Sequence, residues 1–284
     1  MGIGKNQSYR EMKKNILVVP DVHGRLFWKE PALKYVNEVE RIVFLGDYLD
    51  PYPQEDGAFT PEGILHNLMD IIHLKQEHPD KVVLLKGNHD EHYSSQIFWG
   101  LARATRCDMS NWGKYYEVFS THESLFQLAW MEECMGVPYV FTHAGLSAYW
   151  LHKVNENIWQ LPDDELSITH QDVIDRLNAL DSTVEGSKML SIVGFCRSRM
   201  GEKSGSMLWA DVNELGLRVP SSVYGLDKVF QVFGHTRLDG ERIDMLEYEH
   251  AAMIDSQKCF MIAEGTGKKI LTLRDYEKTA EGRE

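Results

Sequence analysis

The sequence predicts an α/β protein (in layer terms α+β) with two β-sheets packed face to face and helices flanking them, on three observations. Short β-branched runs alternate with amphipathic stretches from Asn15 to about His92, the pattern of βαβ units and of a sheet with parallel strands. The last third of the chain is richer in strand, which a second sheet packed on the first would bury. With 284 residues, 43% of them hydrophobic and 26% charged, the chain has the size and composition for one full core.

In order along the chain, Ile16–Val19, Arg41–Leu45 and Lys81–Leu85 are the expected strands of the first sheet. Phe27–Val39 and Ile64–His78 lie between them with apolar residues at helical spacing, and Ile64, Leu65, Leu68, Ile71, Ile72 and Leu74 share one side of the second. Thr60-Pro61-Glu62 supplies its start, with a hydroxyl to cap and a proline at the first helical position. Residues 93–135 and 146–180 read as mostly helical around a strand at Tyr139–Thr142. Further strands are expected at Val229–Phe233, Ala251–Asp255, Cys259–Ala263 and Ile270–Leu273. No linker, repeat or low-complexity tract separates the halves, so residues 1–14 read as a polar extension and residues 15–284 as a single domain.

Composition narrows the function. Against 30 basic residues stand 43 acidic ones, a formal charge of -13 that repels polyanions, so neither nucleic acid nor an anionic membrane is an expected partner. The four cysteines, Cys107, Cys134, Cys196 and Cys259, form no CxxC pair and read as free thiols. The N-terminal residues are polar, the apolar run Ile16–Val19 is too short for a signal-peptide core or a membrane span, and Asn6 breaks a myristoyl signal. A cytoplasmic location is expected.

Each of the first three strands ends in a polar cluster: Asp21-Val22-His23-Gly24, then Gly46-Asp47-Tyr48-Leu49-Asp50, then Gly87-Asn88-His89-Asp90. Ligands of open α/β sheets sit at the carboxyl ends of strands, so the three clusters can converge on one site. In an extended chain residues i and i+2 point the same way, which lets Asp21 and His23 grip one metal together, although an Asp-x-His at a strand end reads equally as a surface turn. Asp47 has two oxygens and can bridge two cations, whereas Asn88 offers only its amide oxygen. His143 in THAG and His235 in GHT each follow a β-rich run; taken singly, either is better read as a packing histidine than as a ligand.

Taken in order, Asp-x-His, GD-x-x-D, GNHD, HAG and GHT resemble the calcineurin-like metallophosphoesterase superfamily, and within it the serine/threonine protein phosphatase-like (PPP) branch. Met207-Leu208-Trp209-Ala210-Asp211 and Met253-Ile254-Asp255-Ser256 are similar to two later segments of that branch, so the resemblance spans about residues 15 to 275. It implies the metallophosphoesterase-type two-sheet sandwich flanked by helices. It also implies two divalent metal ions, one held by Asp21, His23 and Asp47 and a second by Asp47, Asn88, His143 and His235. The mixed oxygen and imidazole donors suit manganese, iron or zinc, with manganese expected to serve in vitro.

The activity implied is phosphohydrolysis of a phosphomonoester, on a phosphoprotein or a small molecule, by in-line attack of a metal-bridging hydroxide. His89 would protonate the leaving alkoxide and Asp50 would hold that imidazole charged. Hydrolysis of a dinucleoside polyphosphate is the alternative of the same class, and a non-catalytic metal-binding scaffold the alternative of another. One departure stands out: the branch usually has arginine directly after GD-x-x-D, and this chain has Pro51-Tyr52-Pro53, which supplies no guanidinium fork for a phosphate. Arg199 is the first substitute the sequence offers, Arg197 the second, and Arg237, two residues past His235, a third. The loop from Pro51 to Thr60, with Tyr52 and Phe59, reads as a substrate lip or an ordinary insertion.

Overall fold

A computed structural model describes residues 14–52, 59–94, 105–161, 169–218, 223–239, 243–267 and 269–281. The first sheet is built on β1 (Ile16–Val19), β2 (Arg41–Phe44), β3 (Val82–Leu85) and β4 (Phe126–Gln127), all parallel. On the other side of β1, β10 (Phe260–Ile262) and β11 (Leu271–Thr272) add antiparallel strands, giving the order β11-β10-β1-β2-β3-β4. The second sheet runs β5-β6-β7-β9-β8, from β5 (Ala129–Cys134), β6 (Val137–Thr142), β7 (Phe230–Phe233), β8 (Leu246–Tyr248) and β9 (Ala251–Met253).

Strand period 2 divides the first sheet's side chains between two cores. Ile16, Val18, Val43, Leu45, Val83 and Leu85 point inward and meet Tyr139, Phe141, Phe230 and Val232 of the second sheet. Leu17, Val19, Ile42, Phe44, Val82 and Leu84 point outward beneath α1 (Lys29–Tyr35), α2 (Pro61–Glu77) and, beyond α3 (Asn88–Ser94), α4 (Trp112–Thr121). The outer face of the second sheet is covered by α5 (Ala148–Val154), α6 (His170–Asn178) and α7 (Val184–Leu190) through Trp150, Leu151, Ile174, Leu177 and Leu190. Burial on both faces is why β1 and β3 are unbroken apolar runs rather than alternating ones. The chain closes with α8 (Leu273–Glu281).

The start of α2 follows the expected chemistry: the Thr60 hydroxyl accepts from the Gly63 N–H at 3.1 Å and Pro61 occupies the first helical position. Two expectations are corrected. Within 93–135, read as mostly helical, β4 and β5 are strands, and β5 turns into β6 through Met135 and Gly136, both in the left-handed region at φ 57° and 71°. Of the four strands expected in the second sheet, only β7 and β9 join it, because β10 and β11 complete the open edge of β1. Residues 53–58 of the supposed lip lie outside the described residues.

Candidate metal centre and active site

The carboxyl ends of β1, β2 and β3 meet those of β6 and β7 at one end of the sandwich. At these ends the chain turns sharply: His23, Asp47, Asp50 and His235 all have positive φ, at 46°, 52°, 57° and 67°. A left-handed non-glycine residue costs about 1 to 3 kcal/mol and persists where its surroundings hold it, here four times in one site. The turns brace one another through His23 N–H to the Asp47 carbonyl, 2.6 Å, and Gly24 N–H to the Tyr48 carbonyl, 2.9 Å. The Asp90 carboxylate, buried beneath them, accepts from the N–H groups of Asp47, Tyr48 and Gly87 at 2.7, 2.9 and 2.7 Å. Two glycines give the carboxylates room: a Cβ at Gly87 would strike the Asp47 side chain and one at Gly234 the Asp21 side chain.

All six side chains expected as metal ligands come together. Ligand atoms of Asp21, His23 and Asp47 lie within 4.8 Å of one another, as do those of Asp47, His143 and His235, so that Asp47 belongs to both groups. His143 Nε2 is 2.9 Å from Asn88 Oδ1 and 3.1 Å from His235 Nδ1, and it lies 3.6 Å from Asp47 Oδ2, which is 3.5 Å from His23 Nε2. The Asp21 carboxylate accepts the His235 N–H at 3.0 Å.

The donor and acceptor pattern of these side chains fits a cation. His23 Nδ1 donates to the Leu49 carbonyl at 2.8 Å and His143 Nδ1 to the Leu45 carbonyl at 2.9 Å. A carbonyl only accepts, so in the neutral imidazoles both Nε2 atoms carry lone pairs, and they face Asp47 Oδ2 and Asn88 Oδ1, which are acceptors too. A cation satisfies acceptors that confront one another, and oxygen with neutral imidazole is the donor set of first-row divalent metals. Burial pushes the His23 and His235 imidazoles well below their usual range, keeping them neutral as ligands must be. Burial pushes the Asp47 carboxyl up, while the surrounding imidazoles, His143 first and then His89, would pull it well below the carboxylate range when they carry charge. Asp21, buried beside Asp47 and opposed chiefly by His143, is pushed up to about 6.

Beside the six, His89 Nδ1 meets Asp50 Oδ2 at 2.7 Å, and the Tyr93 hydroxyl donates to the other oxygen of Asp50 at 2.5 Å. Burial opposes charge on the imidazole, but Asp47 and the hydrogen-bonded Asp50 prevail and raise the His89 pKa above its ordinary value. The expected pairing of His89 with Asp50 is therefore present in space. His92, one helical turn on, is also buried in this wall, where burial and then His89 push it down to about 3.

A cavity of about 450 Å³ opens over the centre, lined by His23, Asn88 and His235 below and by Tyr52, Arg106 and Arg197 on its walls, with Trp209 among its other neighbours. Of the three arginines that the sequence offered, Arg197 alone is among the residues lining this cavity. Arg199 is exposed and does not line the cavity, whereas Arg197 does, held by Thr236 Oγ1 at 2.9 Å and by Asp211 at 3.5 Å. Exposed Arg237 lies over the Tyr52 ring, 4.4 Å from its centroid. Arg106, which sequence reasoning missed, lines the cavity with Nη1 donating to the Asp50 carbonyl at 2.9 Å. Nothing local marks Arg106, and although Asp90 closes the GNHD motif, its place beneath the turns arises only from folding.

Among the described residues no helix is long and apolar enough to cross a membrane. Comparison with known proteins agrees with the geometry. The chain is similar in structure to a cold-active protein-tyrosine phosphatase of a psychrophilic Shewanella, at 15% identity over 88% of this chain and 76% of that one, TM-score 0.51. It is also similar to a protein serine/threonine phosphatase from Saccharomyces cerevisiae, at 15% identity over 92% of this chain and 79% of that one, TM-score 0.49. The first of these likenesses speaks for the shared fold alone. In sequence, the model of the calcineurin-like phosphoesterase family matches residues 14–236, most of the chain and every cluster described above. The chain belongs to the calcineurin-like phosphoesterase family.

Proposed function

We propose that the protein is a phosphohydrolase that uses two divalent cations to cleave phosphomonoesters, with Asp21, His23 and Asp47 holding one and Asp47, Asn88, His143 and His235 the other. The observation that carries this reading is the pair of ligand groups sharing Asp47, with the His89–Asp50 pair beside them. Bound there, such cations neutralise phosphoryl oxygens and bring the pKa of a water down to near neutrality. The chain's own side chains supply the rest. His89 Nε2, on the ring edge away from Asp50, delivers a proton to the departing alkoxide. Asp50 fixes the ring by its Nδ1 and favours imidazolium, and Tyr93 in turn fixes Asp50.

A poor alkoxide leaving group needs that acid more than a phosphate leaving group does, and for this reason the His89–Asp50 pair favours a phosphomonoester over a dinucleoside polyphosphate. The test is hydrolysis of p-nitrophenyl phosphate, phosphoserine and phosphotyrosine peptides and diadenosine tetraphosphate by protein loaded with manganese, with elemental analysis of the same sample. Two equivalents of metal and release of phosphate from a monoester are expected, and Asp47→Asn should lose metal from both sites with turnover nearly abolished. Full turnover in Asp47→Asn, or loaded protein inert on every substrate, would overturn the reading.

A further inference from the structure

Where the resemblance leads one to expect arginine after Asp50, this chain has Pro51, followed by Tyr52. Folding brings a guanidinium to the same place from elsewhere. Arg106 Nη1 donates to the Asp50 carbonyl at 2.9 Å, Nη2 lies 3.4 Å from His89 Nε2, and the guanidinium carbon sits 3.7 Å from the centroid of the Tyr52 ring. Tyr52 is itself wedged edge-on against His23, ring centroids 5.0 Å apart, so the platform under Arg106 is anchored to the metal centre.

Three features distinguish this arginine from its neighbours. It is half-buried in the cavity wall, yet among the described residues no carboxylate pairs with it, whereas Arg197 is paired with Asp211. Its fork of five N–H donors has one firm acceptor, the Asp50 carbonyl, which leaves donors for an anion in the cavity. It also converges with His89 Nε2, so a group accepting from Arg106 lies within reach of the proposed acid. A planar guanidinium lying on an aromatic face keeps its edge free for hydrogen bonds while losing its freedom to swing away.

We propose that Arg106 is the phosphate-binding arginine of this site, donating to the phosphoryl oxygens from the wall opposite Arg197, and that Tyr52 is a positioning residue that holds the Arg106 guanidinium over the metal centre. The assignment rests on the proposed function for the place where phosphate binds. It explains how the chain dispenses with arginine at position 51: the tyrosine one residue later orients a guanidinium supplied from the region after α3. Arg237, on the same ring but exposed, has no part in it.

Binding of inorganic phosphate to manganese-loaded protein, followed by calorimetry, tests this apart from turnover. Arg106→Ala should raise the Kd for phosphate by about 10- to 100-fold, the loss of a charged hydrogen-bond pair, with metal content and melting temperature kept. On p-nitrophenyl phosphate the same variant should raise KM. Tyr52→Leu should weaken phosphate binding by about 3- to 10-fold, Tyr52→Phe should restore it, and Tyr52→Leu should change nothing further in the Arg106→Ala background. Should Arg106→Ala fail to fold, Arg106→Gln, which keeps hydrogen-bonding reach without charge, takes its place. Unchanged phosphate affinity in the folded Arg106 variant, or no phosphate binding by the wild type, overturns the assignment. Wild type that binds phosphate through Arg106 but hydrolyses nothing would sink the proposed function and leave Arg106 standing.

Discussion

Removing the His89 side chain takes away the one group placed to hand a proton to an alkoxide while leaving both ligand groups intact. His89→Ala is expected to lower kcat on an alkyl phosphate by about 10²- to 10⁴-fold, with unchanged metal content, and to matter far less for p-nitrophenyl phosphate, whose leaving group needs no acid. Asp50 acts on the same proton. Its carboxylate raises the His89 pKa, so the protonated form persists to higher pH; in Asp50→Asn that support is gone and the alkaline limb of the pH–rate profile should move to lower pH. A limb that stays in place would show that His89 is not the titrating acid. The six candidate ligands and this pair were legible in the sequence through the ordered motifs that resemble a known family, whereas no single spacing decided any of them. Asp90 and Tyr52 stood in segments the sequence marked, but their roles, and Arg106 altogether, were not legible, since a carboxylate under three backbone N–H groups and a guanidinium on a ring are facts of tertiary placement.

α3 carries both Asn88 and His89, and its position depends on a buried charge cluster. Lys86, at the end of β3, lies 3.3 Å from Glu91 of α3 and 2.5 Å from Asp181, with the Lys86 and Glu91 side chains almost wholly buried. Burial opposes the Lys86 charge, but Glu91 and Asp181 outweigh it and raise its pKa, so it is a permanent cation. Lys86→Ala would leave Glu91 buried without its counter-charge and is expected to destabilise the protein by about 3 to 5 kcal/mol, read as a lower urea midpoint with an unchanged slope. A midpoint at the wild-type value would mean that α3 is held by its apolar contacts alone. Element by element, α2 was predictable from its helical spacing of apolar residues, and β1 to β3 from short β-branched apolar runs closed by turn residues. β5 was not: Ala129-Trp130-Met131-Glu132-Glu133-Cys134 is only half buried, and its pairing with β6 is what makes it a strand.

At the scale of the whole molecule, a chain of charge -13 gathers still more acceptors at one end of its sandwich, so a bound cation relieves both local and general repulsion. Each site filled at 100 times its Kd would stabilise the fold by about 2.7 kcal/mol, which for a chain of 284 residues moves Tm by roughly 4 to 5 °C. Dialysis against a chelator should lower Tm by that order and manganese should restore it; a Tm indifferent to both would contradict a metal centre. The two-sheet architecture was legible from strand runs, but which sheet receives β10 and β11 was not, because pairing across nearly the whole chain leaves no local trace. That pairing has a consequence for biosynthesis. β1 and β10 are far apart in sequence, Ile16 facing Ile262, so a growing or prematurely terminated chain that has made β1 but not yet β10 displays a bare apolar strand edge, the surface that chaperones capture and from which aggregates grow.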